Sequence, residues 1–583
     1  MIHAIDTETN GLHHHHGHRA FCVSWTDDSG EPQVAYIGKD SLLNLDIRLI
    51  NRDNSWVGHN IGFDLPFLAD YGMSPTGPIH DTMIMAHIHN NLEPEMDLSS
   101  LAKKYCNLEN PEELILDRWF LEHGYNAGNR VYSDVPDEIM IPYTKADVKM
   151  TLALYKFYAA KGVLDSPAYQ LEMRLVPVVA AVAARGMRID RKFAQDEFDK
   201  GIAILARLET QALREYQIDN LNSTAQIADA LFTRAGLKCT TFTEKKNICL
   251  DETAIQEYEH PLVDIVLEYR EVSKMCKTYL TAILTKSTKD DRLHSNLRQV
   301  AAVTGRFSSS DPNLQNIPRY DEDSTINIRK AFIASPDCQL LFIDLSQIEL
   351  RLLAHYSKES KMIASLTPRN GDIHGDTAQE IFGDKEKSHR TVSKTLNFGL
   401  IYGGGGTALA RQINRKMPDE QITAGQAKHF KYQWLDKYPC VQQFIWDVQA
   451  TIMQKGYVFG RSGRRYYCPK DKAYRAVNYL IQGESAMLLK RIMIDVEAFL
   501  KDKKTKLINC VHDELIFDLA TGEEQLVAEL LRIVEQSDGW RVPIYANADV
   551  SETSWAEKHP LNLPALGTET SLPVASCSSC VVS

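Results

Sequence analysis

Two acids two residues apart, Asp6 and Glu8, follow the apolar opening of "HAIDTE", and on a strand that spacing turns both side chains to one face. Two further acidic positions are of the same kind. "HNIGFDLPFL" carries Asp64 four residues after Asn60, and "YTKADV" carries Asp147 four residues after Tyr143. On a helix that interval stacks phenol and carboxylate on one face. Carboxylates gathered at one place repel unless divalent cations fill the gap. Two Mg²⁺ ions about 3.5 to 4 Å apart could then activate a water and stabilise the leaving oxygen of a phosphodiester. Any one of these acids alone reads as a solvated side chain; the ordered set points to phosphodiester hydrolysis.

A second constellation is built around "HRTVSKTLNFGLIYGGGG", where Arg390, Lys394, Phe398 and Tyr402 recur every four residues. Four residues turn an α-helix by about 400°, so the four side chains form one slowly winding stripe. Two cations followed by two aromatics match the order of phosphates, sugar and base along a nucleotide. Four glycines, 403 to 406, then end the helix. "LLFIDLSQIELR" predicts an apolar strand running into Asp344 and a helix carrying Glu349. "LINCVHDELIFDL" predicts a hairpin whose turn presents His512, Asp513 and Glu514. Paired strand-end carboxylates suit two-metal phosphoryl transfer, in which both the attacking and the leaving oxygen must be clamped.

The elements that must position these residues fall into blocks. At 583 residues the chain exceeds a single core. Up to about residue 160 short apolar strands alternate with helical patterns, an α/β signature. Long amphipathic helices follow, including "YQLEMRLVPVVAAVAARGMRI" and "HPLVDIVLEYREVSKMCKTYLTAIL", the latter predicted as one helix of about seven turns. From about residue 296 strands and helices mix again. Residues 561 to 583 have little charge and no apolar period and are predicted to be disordered. The net charge of -12 excludes a uniformly basic coat, but "KSHRTVSK", "RSGRRYYCPKDKAYR" and "KSTKDDR" are local patches fit for phosphates. The eleven cysteines write no disulfide or zinc framework, so free thiols are expected. No apolar run approaches the roughly 18 residues of a membrane span, and "MIHAIDTETN" is not a signal peptide, which leads to a cytoplasmic expectation.

With "TGRFSSSDPNLQNIP" at 304 to 318, these segments resemble family A DNA polymerases of the bacterial polymerase I type, and the first acidic set resembles their 3′-to-5′ proofreading exonuclease. The likeness runs from Asp6 to about Trp555. It implies an α/β exonuclease domain with a ribonuclease H-like fold at 1–162 and an α+β right-hand polymerase domain at 163–560. Within the latter it implies a thumb at about 168–295, a palm at about 296–365 and 485–560, and fingers at about 366–484. It further implies metal ligation by Asp6, Glu8, Asp64 and Asp147, with Tyr143 orienting the attacking water. Asp344 and Asp513 would be the polymerase metal ligands, the carbonyl of Leu345 would complete that site, and Glu514 would be auxiliary. Arg390 and Lys394 would grip the triphosphate, Phe398 its sugar and Tyr402 the template base. Gln347 and His374 would be further nucleotide contacts, and Glu349 a steric gate against a 2′-hydroxyl. Arg306, Asn313, Gln315, Gln482 and His512 would contact the duplex, mostly in the minor groove, where acceptors are similarly placed for every base pair. Asn60 and Leu12 would contact the primer strand. Implied cofactors are two Mg²⁺ per active site, with Mn²⁺ able to substitute. Implied partners are primer-template DNA, dNTPs and replisome proteins such as a helicase and a single-strand binding protein, around a monomer.

Two other readings compete: a nuclease whose second half only holds DNA, and a non-enzymatic replisome scaffold. Complete ligand sets in both halves weigh against each. No 5′-nuclease segment is seen ahead of Asp6 and no large insertion interrupts the helical arm, a compact, phage-like layout; if the protein is viral, the expected cytoplasm is that of a host. The terminal "CVVS" has the form of a prenylation box, without the polybasic stretch that would support it. The run His13 to His16 invites a zinc reading, but consecutive residues on a turn rarely converge on one ion. It is predicted to be a solvated loop, with a weaker alternative in which partial protonation near pH 6 attracts a strand's phosphates.

Overall fold

The computed structural model describes residues 1–28, 31–37, 53–243, 245–318, 325–401, 403–417 and 421–561. Tyr402 and residues 562–583 of the predicted tail lie outside the described residues. The first unit is a five-stranded sheet in which Ile2–Thr9 is central. Ala20–Thr26 pairs with it antiparallel and Gln33–Tyr36 continues that edge; Ser55–Gly58 pairs with it parallel and Ile79–Asp81 closes the other edge. A central strand is covered on both faces, and Ala4 and Ile5 are buried accordingly. The helix Asp137–Ala160 lies across this sheet. Its buried positions Met140, Thr144, Asp147, Val148, Thr151, Tyr155 and Tyr158 recur at helical spacing, so Asp147 rides on the face that meets the strand of Asp6.

The helical arm packs Arg191–Tyr216 against Pro261–Lys274, with Leu205, Leu208, Val266 and Val272 in the shared core. The single helix expected over the second of these is instead α-helical over Pro261–Lys274 and Thr281–Lys286, with wide π-type turns over Met275–Leu280 between them. The widening falls where Gly201 of the facing helix touches the Cys276 thiol and leaves no room for a Cβ.

The third unit is built on an antiparallel sheet in the order Lys506–Val511, Glu514–Ala520, Cys338–Leu345, Ala546–Ser551, His559–Pro560. Again the acid-bearing strand, Cys338–Leu345, is central. The helix Ala476–Phe499 packs on Ile348–Ser357 and on Pro167–Arg185. Pro167–Arg185 joins two cores: Ala168, Tyr169 and Val176 belong to that of the first unit, Leu175 and Val182 to that of the third. Among the described residues no helix is long and apolar enough to cross a membrane, and the described cysteines are all free thiols.

Candidate active sites

At the first sheet, Asp6, Glu8 and Asp147 each offer an oxygen within 4.8 Å of the others. Asp64 sits beside this triad rather than in it. Its Oδ1 accepts from the Thr7 amide at 3.1 Å and the Thr7 hydroxyl at 2.5 Å, so the residue between Asp6 and Glu8 ties it to the strand. Asp64 lies in the first turn of Ile61–Ala69, and Asn60 before it takes a left-handed conformation, φ 66°. The Asp81 carboxylate accepts from the amides of Asn60 and Ile61 at 3.2 and 2.9 Å, which fixes that turn. Tyr143 lies one turn before Asp147 on the same helix, and Asn110 Nδ2 donates to Asp147 Oδ1 at 3.4 Å.

Burial raises the Asp6 carboxyl to about 7. Glu8, Asp64 and Asp147 are pushed well above the carboxylate range, first by burial and then by mutual repulsion. Burial, then the charge of Asp147, also holds the Tyr143 phenol well above its ordinary value, so it is a protonated donor rather than a base. An all-oxygen set of crowded carboxylates is the donor chemistry that hard divalent cations take.

At the second sheet, the buried run Leu340 to Ile343 ends at half-buried Asp344, which stands opposite Glu514 on one neighbour and Asn547 on the other. The hairpin turns at His512, φ 55°, and the Leu345 amide donates to the Asp513 carbonyl at 3.1 Å. That bond seats the turn on the end of the central strand. Burial raises the Asp513 carboxyl, opposed by the Arg306 charge. Glu349, 5% exposed, pairs with Arg306. Glu514 pairs with Lys558, whose ammonium also lies 3.7 Å from Asp549. Asp344 and Asp513 with a backbone carbonyl are again hard oxygen donors. Among the described residues the only clusters of three are the triad at the first sheet and a surface group, Asp384, Glu386 and His389.

Arg390, Lys394 and Phe398 lie on one helix, Lys387–Ile401, which ends at Gly403, φ +72°, before the next helix starts at Gly406. Arg390 Nε is bonded to both oxygens of Asp372 at 3.2 and 3.0 Å; Lys394 is exposed. His374 is buried, its ring 5.8 Å from that of Phe398. Asn397 Nδ2 lies 2.8 Å from His374 Nδ1, and since Asn397 Oδ1 accepts from Trp434 Nε1, the amide donates and Nδ1 accepts. Burial, then Arg390 and Lys394, lowers this imidazole to about 4, so it is neutral with its proton on Nε2. Gln347, φ 52°, caps Ile348–Ser357, and its buried Oε1 has no donor among the described residues.

Of the expected DNA contacts, Arg306 is drawn to the second sheet's site through its pair with Glu349. His512 is exposed at the hairpin tip, and Gln482 and Gln315 are half-buried. Asn313 Oδ1 accepts from the amides of Gln315 and Asn316 at 3.0 and 3.2 Å and so shapes its loop. Leu12 is 72% exposed.

The histidine run is not the solvated loop expected. His14 Nε2 lies 2.9 Å from Asp70, His13 Nε2 lies 2.9 Å from Asp311, and His15 stacks on His294 with centroids 4.1 Å apart. A tight turn fans consecutive rings outward, so each found its own partner, two of them beyond the first unit. The pH 6 alternative also weakens, because burial holds His13 below the ordinary histidine range and His15 at about 4. The spacing rules missed Asn110, Asp372, Asn397 and Lys558. Asn110 carried one signal, an N-cap before Pro111, but that signal concerned its own helix.

A family model described as DNA polymerase family A matches residues 194–557, and one described as 3′-5′ exonuclease matches residues 3–161. DNA polymerase I of Borreliella burgdorferi is 30% identical over 551 residues, which is 90% of this chain and 58% of that protein. DNA polymerase I of Chloroflexus aurantiacus is 32% identical over 538 residues, 86% of this chain and 55% of that one. The chain thus spans somewhat more than half the length of these curated relatives. A solved structure, the POL domain of Pol1 from M. smegmatis in complex with DNA primer-template and dNTP, shares the fold with a TM-score of 0.80 at 23% identity, covering 95% of each chain.

Proposed function

The chain belongs to DNA polymerase family A, with a 3′-5′ exonuclease domain in its N-terminal part, and from that membership we propose that it is a template-directed DNA polymerase that proofreads. The observation that carries the reading is the pairing of two acidic constellations, one at Asp6 and one at Asp344, each on the central strand of its own sheet. Two divalent cations per site, Mg²⁺ with Mn²⁺ able to replace it, would supply activation of the attacking oxygen and neutralisation of charge on the leaving one.

In the proposed addition step Asp344, Asp513 and the Leu345 carbonyl are the ligands. Glu514, held by Lys558, backs the site rather than entering it. A triphosphate displaces Asp372 from Arg390, is met by Lys394, and receives the Nε2 proton side of neutral His374 as a donor. Glu349, fixed by Arg306, bars a 2′-hydroxyl from the sugar's place beside Phe398, and Gln347 offers its free carbonyl nearby. In the proposed editing step Asp6, Glu8 and Asp147 are the ligands, Asp64 sits on the rim through Thr7, and protonated Tyr143 orients the water. Primer-template DNA and dNTPs are the substrates.

One time course of extension from a primed template, with a matched and with a mismatched 3′ end, tests the whole reading. A matched end is extended at once, a mismatched end only after a nucleotide is removed; a chain that extends neither end sinks the proposal. Phe398 adds a sharper expectation. Phe398→Tyr places a hydroxyl where a dideoxynucleotide lacks one, and raises its incorporation relative to the deoxynucleotide by about tenfold or more, the worth of one hydrogen bond. An unchanged ratio in a competition assay removes Phe398 from the sugar.

A further inference from the structure

Residues 299 to 306 lead into the polymerase centre and end at Arg306, which pairs with Glu349. The segment is gripped along its length. Gln299 Nε2 donates to the carbonyl and the carboxylate of Glu172, both at 3.0 Å, and its own carbonyl accepts from Lys490 Nζ at 2.8 Å. The Ala302 carbonyl accepts from His87 Nε2 at 2.9 Å, and the Val303 carbonyl from Asn91 Nδ2 at 3.0 Å. Gly305, φ +78°, lies on the Arg464 guanidinium, where a Cβ would come within 2.8 Å of Cζ. Arg464 and Lys490 in turn both donate to Glu172 Oε1, at 2.9 and 2.6 Å, and all three side chains are fully buried.

Two of these grips come from the exonuclease unit. His87 lies on the helix Thr82–His89 and Asn91 just beyond its end; they are 4% and 2% exposed. The Arg464 guanidinium can only donate, so His87 Nδ1 accepts from it and the ring's proton sits on Nε2, aimed at Ala302. Asn91 is used on both ends of its amide, since Oδ1 also accepts from the Tyr467 amide at 2.8 Å. Neither residue belongs to the carboxylate cluster of its own unit. Both hold backbone carbonyls three and four residues ahead of Arg306, close enough in the chain for their loss to swing its guanidinium.

We propose that His87 and Asn91 are positioning residues for nucleotide addition: from the exonuclease unit they fix the carbonyls of Ala302 and Val303, and thereby aim Arg306 at Glu349. The inference rests on the polymerase reading above. It makes the editing unit a structural part of the synthetic centre, because a small misplacement of a group at the reacting centre can cost as much as about a hundredfold in rate.

The test uses the full chain with His87→Ala, Asn91→Ala and His87→Gln, whose amide can still donate to Ala302. In both alanine variants the maximal rate of single dNTP addition falls about tenfold, as expected for lost positioning. Discrimination against ribonucleotides also weakens, hydrogen exchange at the amides of residues 300–306 quickens, and degradation of a single strand stays within about twofold of the parent. His87→Gln recovers most of the addition rate. The role is overturned by an unchanged addition rate and ribonucleotide ratio in both alanine variants. It is equally overturned if both activities fall in step with the thermal midpoint and glutamine does not rescue them. A parent chain that extends no primer removes the polymerase reading itself and this role with it, which the parent control makes plain.

Discussion

Asp344→Ala abolishes primer extension, by about a thousandfold or more, and leaves degradation of a single-stranded 3′ end at the parent's rate. A thousandfold corresponds to about 4 kcal/mol of transition-state stabilisation, a reasonable worth for one of only two side-chain ligands at a site. Asp344 is half-buried at the end of its strand, beyond the fully buried run Leu340 to Ile343, so truncating it removes charge without opening the core. The carboxylates of the other sheet are untouched, which is why the two activities separate. Rapid-quench incorporation of one nucleotide, with single-strand degradation measured on the same preparation, reads both. If Asp344→Ala keeps more than about a tenth of the extension rate, Asp344 is not a metal ligand; Asp344→Asn, equal in volume, is expected to fail as badly, because the site needs the charge.

What local spacing encodes, the sequence displayed. The period of two put Asp6 and Glu8 on one face, the period near four put Tyr143 under Asp147 and strung Arg390, Lys394 and Phe398 along one helix, and an apolar, polar, apolar pattern folded the hairpin at His512. What depends on two distant segments meeting was not displayed. Lys558 reaches Glu514, Asp372 holds Arg390, and His87 reaches Arg464 across 377 positions of sequence. No periodicity carries such pairs, because each is fixed only when separate cores dock. The contacts of the histidine run are of the same long-range kind. Its composition is that of an exposed turn, and only the neighbouring Asp311 and His294, from another part of the chain, make it a docked one. The π-type turns at Met275–Leu280 likewise face a glycine in a different helix, Gly201.

Asp6→Ala is expected to have the converse effect, cutting removal of a mismatched 3′ nucleotide by about a thousandfold or more while extension of a matched end persists. The same residue also gives the site a pH signature. Burial holds its carboxyl at about 7, and Glu8, Asp64 and Asp147 are raised with it, so the folded cluster binds protons more tightly than the unfolded chain does. Stability from these groups is therefore fully present below the ordinary carboxylate range and is lost as pH rises toward and through about 7. Above that pH the ionised carboxylates repel one another unless a divalent cation takes the place of the protons. Chelating divalent cations should then lower the thermal midpoint of the parent more at pH 8 than at pH 6, and restoring Mg²⁺ should recover it. In Asp6→Ala one repelling charge is gone, so the difference between the two pH values shrinks, while any contribution from the polymerase site stays as it was. Calorimetric scans of parent and variant, with and without chelator at each pH, decide the matter. A chelator effect of equal size at pH 6 and pH 8 in the parent would mean that protons and cations do not compete for these oxygens, and the triad would lose its claim to be a metal centre.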